Sequence, residues 1–183
     1  MADSGEAPIP TPAAPNEMEQ RLPKLSAADF RVYNHMAEGM EYYHNNFRQT
    51  WTLLHNACTS GRRPLGMSLP AFLGTGLSFV HHLSVHHSIE ENHIFPHLAT
   101  KMAAFRSDLE DQHKEIHKGM DELEKYLLGC KSGERELRLE EMKRILDGFG
   151  EVLWRHLEDE VKELGADNMR KYWTKEEMRR MPM

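Results

Sequence analysis

The sequence contains no apolar run approaching the roughly 20 residues that a membrane-spanning helix needs. Its opening stretch, MADSGEAPIPTPAAPNEME, has neither the positive start nor the apolar segment of a secretory signal, so a soluble, cytoplasmic chain is expected. A basic excess is missing as well. Twenty-three Lys and Arg stand against 29 Asp and Glu, for a formal charge of −6, which leaves no electrostatic case for a nucleic-acid partner. Cysteine is scarce: Cys58 and Cys130 lie far apart without C-x-x-C spacing and read as two reduced thiols, not as a disulfide or a zinc site. No segment reads as a strand hairpin and no internal repeat marks a solenoid.

Histidine is what the sequence has in excess, with 12 in 183 residues. Number alone does not separate metal binding from ordinary helix-surface use; spacing does. The chain is organised around residues 81–97, HHLSVHHSIEENHIFPH. Positions four apart lie on one helix face, so His86 and Glu90 project from the same side, with His82 on the same stripe. The rhythm returns in DLEDQHKEIHKGMDEL as His113 and His117, and in VLWRHLEDEVKEL as His156 and Glu160. Upstream, His44 sits in the helical pattern EYYHNNFRQTWTLL.

Each of these pairs has a bland alternative. An isolated H-x-x-x-E match is usually a surface ion pair, and Lys114, Glu115 and Lys118 around His113 and His117 suit a solvated face. A polar stripe repeated on four helices, however, is costly in an apolar core unless something binds it. Bundle cores rich in carboxylate and imidazole hold pairs of iron or manganese ions, because imidazole suits iron and carboxylates can bridge two cations. His44 has rivals in His35 and His55, and is preferred because an antiparallel first helix brings it level with His86. His82 is read as lining a cavity or supporting the site, and His81, His87 and His97 as surface histidines.

In chain order, residues 1–25 are rich in Pro and Ala and are expected to form a disordered tail. A first helix is predicted from the Ser26 cap toward Cys58, carrying Phe30, Tyr33, Met40, Phe47, Trp51 and Leu54 at helical spacing. Residues 59–68 read as a connection. A second helix follows Ser68 and runs to about Phe95, where Pro96 marks a kink or an end. A third runs from Ser107 to Leu128, stopped by Gly129, and a fourth from near Glu134 to Leu164. Thr174 and Glu177 have the capping-box pattern of a short C-terminal helix. The expected fold is all-α: an up-down-up-down antiparallel four-helix bundle over residues 26–165, with a C-terminal extension over 166–183.

Taken together, His44, His86-x-x-x-Glu90-Glu91 with Phe95-Pro96, His113-x-x-x-His117 and His156-x-x-x-Glu160 resemble the hemerythrin-like, or HHE cation-binding, domain over about residues 28–165. The resemblance implies two iron ions with an oxo or hydroxo group between them. His113, His117 and His156 would fill one iron, His44 and His86 the other, and Glu90 and Glu160 would bridge. Oxygen carriers of the family have an aspartate at longer spacing on the last helix, where this chain has Glu160 one turn after His156.

Two classes of function follow. One is a binder or sensor of O2 or another small diatomic such as NO, or a handler of iron, with no catalytic residue. The other is an oxygenase or oxidase of a small organic metabolite, as in a biosynthetic pathway, whose pocket would use Gly74, Gly76, Tyr42, Tyr43, Phe79 and the spare histidines. A bundle in which the metal only stabilises the fold is the plainest reading.

Overall fold

The computed structural model describes residues 22–181, which fold almost entirely into helices, with no strand among the described residues. Four long helices account for most of it: α1 (Ala27–Ser60), α2 (Leu69–Ile89), α4 (Asp108–Ser132) and α5 (Leu139–Glu163). Short helices α3 (Phe95–Leu98), α6 (Ala166–Tyr172) and α7 (Lys175–Met178) complete the set. The long helices contact one another in the cyclic order α1, α5, α4, α2, and α1 with α2 is the least closely packed pair. Most of the expected disordered tail, residues 1–21, lies outside the described residues, and 22–26 form neither helix nor strand.

The caps explain where the helices begin and end. Ser26 Oγ accepts from Asp29 N–H and Ser68 Oγ from Ala71 N–H, each satisfying a first-turn donor. Gly61 ends α1 in the left-handed region at φ 68°. The third long helix departs from expectation: it runs through Gly129 and stops at Gly133, whose φ of 81° provides the left-handed turn. A glycine within a helix costs only about 1 kcal/mol, and burial of Leu127 and Cys130 on that turn outweighs it. The fourth begins at Leu139, not Glu134. The Tyr126 hydroxyl donates to Arg138 O and accepts from Arg138 N–H, holding the preceding residues outside the helix.

The second helix does not run unbroken to Phe95. After Ile89 it widens into a π-helical turn, Glu90–Ile94, in which Phe95 N–H donates to Glu90 O five residues back. Pro96 has no N–H to continue the α pattern, and the extra residue in the turn turns Ile94 and Phe95 into the core while Glu91 faces out.

Two apolar clusters result. One gathers Phe47, Leu54, Leu83, Ile116, Leu123, Leu153 and their neighbours. The other joins Met36, Met40, Phe95, Phe105 and Leu109 to Met169, Trp173 and Met178 of the C-terminal segment. The capping box on Thr174 is present as expected, whereas α6 was not foreseen. Phe30, expected on the apolar stripe, is exposed near the start of α1. Gly76 lets α2 approach α4: a Cβ there would stand 2.7 Å from a Leu127 methyl, while Gly74 faces open space. Cys58 and Cys130 are buried and unpaired, and burial pushes the Cys58 thiol up to about 11.

Candidate metal centre

On each long helix the apolar stripe is interrupted by polar side chains where one cluster gives way to the other. On α1, His44 lies between Met40 and Phe47; on α4, His113 lies between Leu109 and Ile116; on α5, Glu160 lies between Leu157 and Leu164. The second helix contributes His87 after Leu83 and Glu90 before Ile94. His44, His87, Glu90, His113, His156 and Glu160 are all buried, and the His86 side chain is 11% exposed.

The donors fall into two adjoining groups that share Glu90. His87, Glu90, His113 and His156 each place a ligand atom within 4.8 Å of the others, as do His44, His86, Glu90 and Glu160. In the second group, His86 Nε2 is 2.8 Å from Glu90 Oε1, and His44 Nε2 is 3.2 Å from Glu160 Oε2 and 3.3 Å from His86 Nε2. In the first, His113 Nε2 is 3.2 Å from His156 Nε2 and 3.4 Å from Glu90 Oε2. His156 Nε2 lies 3.8 Å from Glu160 Oε2 and links the two groups.

The outer contacts settle which nitrogens are lone pairs. His44 Nδ1–H donates to Leu157 O at 3.0 Å, and a carbonyl can only accept. His156 Nδ1–H donates to Gln112 Oε1 at 3.2 Å, with the amide held that way round by Gln112 Nε2–H donating to Asp159 at 3.0 Å. His113 Nδ1–H donates to the Glu91 carboxylate at 2.8 Å. All three rings therefore turn Nε2 inward, and those of His113 and His156 face each other 3.2 Å apart. A cation coordinated by both would satisfy them. Outer hydrogen bonds of this kind orient the imidazoles of metal sites and raise their basicity.

Burial drives His156 down to about 3, against the pull of Glu160, with His113 and His44 reinforcing it, and lowers His86 despite Glu160. His87 is pushed well below the usual histidine range, by burial and then by the four histidines around it. The carboxylates diverge. Burial and the neighbouring Glu160 raise Glu90 well above the usual range, whereas at Glu160 burial, which raises it, is outweighed by His44 Nε2 3.2 Å away and by His156 and His86, and it is lowered. Neither Glu90 nor Glu160 accepts a hydrogen bond, and His87 has no partner on either ring nitrogen. An unsatisfied buried polar group costs about 1–3 kcal/mol, so this layer is unfavourable as a purely structural core. Neutral imidazoles and convergent carboxylate oxygens form a donor set suited to a divalent cation.

The structure thus brings His44, His86, Glu90, His113, His156 and Glu160 together. His117 stands apart: its ring is about a third exposed, 3.2 Å from Glu91, in an outer group with Glu91 and the Nδ1 of His113. At about 100° per residue, the buried stripe of α4 runs through Leu109, His113, Ile116, Met120 and Leu123, and His117 falls just past its edge. His87, expected on the surface, is fully buried instead. The signal was present in Gly76, Val80 and Leu83, which with His87 form the centre of the α2 stripe, while His86 lies at its margin. His82 lines a cleft beside His86, in keeping with the cavity-lining reading, and His81 lines the same cleft. His97 is exposed and stacks on Trp173.

Among curated proteins, the chain is similar to the dimeric xanthone biosynthesis cluster protein R11 of Cryptosporiopsis sp. (strain 8999), 27% identical over 103 residues. The match covers 52% of this chain and 38% of the relative's own length. No solved structure matches. The family model of the hemerythrin HHE cation binding domain matches residues 35–166, which include every donor described above, and the chain belongs to that family.

Proposed function

We propose that this protein is a non-heme diiron protein that binds O2, or another small diatomic ligand, within a ring of four long helices running up-down-up-down. His87, Glu90, His113 and His156 would hold one iron, and His44, His86, Glu90 and Glu160 the other. His87 thereby takes the place that the family resemblance implies for His117. The observation that carries this reading is the pair of adjoining buried groups sharing Glu90, with imidazole Nε2 atoms facing inward.

When bound, a ferrous pair supplies two electrons to O2. The chain's own contribution is positional. Leu157 O, Gln112 and Glu91 fix three ring orientations, and the two apolar clusters keep water from the carboxylates. Anaerobic loading with ferrous iron tests the reading. Two irons per chain and a new near-ultraviolet absorption on admission of air are expected; fewer than two irons, or no change with O2, would sink it.

A second reading is an O2-dependent oxidation of a small organic molecule. It is favoured by the cleft that opens on His86 and Glu90 and by the relative's place in a biosynthetic cluster. Reversal of the absorption on degassing marks a carrier or sensor, whereas O2 consumption accelerated by an added organic compound marks an oxidase or oxygenase.

A further inference from the structure

The cleft beside the second donor group occupies about 730 Å³ between α1, α2 and the π-helical turn. That is within the roughly 300–1,000 Å³ of small-molecule sites. Met40, Phe47, Val85, Ile89 and Ile94 give it apolar walls, and the Tyr43 ring stands 5.9 Å from that of His86. Polar groups are few: Asn46, His81, His82 and His93 line it, with His86 and Glu90 belonging to the donor set.

The chemistry of this lining selects its occupant. No lysine or arginine is among the lining residues, so no side chain there can neutralise a phosphate or another strong anion. Too few hydrogen-bonding groups are present to replace the hydration of a sugar. Aromatic side chains on the walls favour a flat ring, with Phe47 and His86 centroids 5.0 Å apart. An amide and three imidazoles can each accept or donate a hydrogen bond to a hydroxyl. We infer that the cleft is a binding site for a neutral hydroxylated arene, a phenol of two or three fused rings, seated against Tyr43 and Phe47 with its hydroxyl toward the histidines. This deepens the diiron reading, on which it rests for the meaning of the occupant's position beside His86.

Calorimetric titration of the iron-loaded full chain with 1-naphthol, naphthalene and inositol tests it. One 1-naphthol per chain is expected, bound roughly five- to tenfold tighter than naphthalene, as one hydrogen bond contributes. Inositol should show no binding. Val85→Trp, which fills the cleft, and Ile89→Glu, which places a charge on its wall, should each weaken 1-naphthol at least tenfold with iron content unchanged. Failure of 1-naphthol to bind, or binding indifferent to both substitutions, overturns the inference. So does self-association of the wild-type chain that Ile89→Glu dissolves, because the face would then belong to a second copy. A chain that takes up no iron yet binds 1-naphthol sinks the diiron reading and leaves the cleft assignment standing.

Discussion

The two sides of Glu90 differ in what surrounds them. His87, His113 and His156 are fully buried, with Phe95 stacked on His113, and none of the three lines the cleft. On the other side His44 and Glu160 are equally buried, but His86 sits at the margin of its helix and reaches the cleft. Packing accounts for the contrast. Helix α4 lies close to both α5 and α2, with Gly76 against Leu127 and Gly119 against the Phe149 ring, while α1 and α2 are packed more loosely. If the proposed pair of cations is bound, one position would be enclosed and the other would adjoin the cleft.

The largest effect is expected at the shared group. Glu90→Ala removes a donor from both positions, so iron should fall from two per chain to less than one; elemental analysis that still finds two would mean that the groups do not share it. Next comes the contested ligand. His87→Ala should lose one iron and His117→Ala should keep both, and the opposite result would return His117 to the inner set. Orientation is a smaller matter. Gln112→Leu deletes the acceptor for His156 Nδ1–H, and iron affinity should drop about 10–100-fold, measurable by competition with a chelator.

The smallest effect tests the cost of the layer itself. His87→Leu removes two unpartnered ring nitrogens, so the metal-free variant should unfold with about 1–3 kcal/mol more stability than metal-free wild type. In iron the order reverses, since wild type held at 1,000 times its dissociation constant gains about 4.1 kcal/mol from the site that the variant lacks. Denaturant titration in both conditions reads the crossing.

Most of the residues that converge in the core were legible because helical spacing is local. His44, His86, Glu90, His113, His156 and Glu160 stand where a four-residue rhythm and a level argument place them, as does the Thr174 cap. What misled was the choice of the stripe's centre. Taking His86 and Glu90 as the axis of α2 left His87 outside, although Gly76, Val80 and Leu83 pointed to it. The same one-turn rule put His117 beside His113, and a shift past the edge of the stripe turned it toward Glu91.

By itself the sequence determined an all-helical chain with imidazoles at helical spacing on all four long helices and, after His86 and His156, a carboxylate one turn on, since periodicity and capping depend on residues within a turn or two of one another. Only the tertiary structure decided that His87 faces the donors, that His117 does not, and that a cleft opens at His86. Those outcomes depend on how closely each pair of helices packs, and the depth of that packing is set by residues far apart in the chain, such as Gly76 and Leu127.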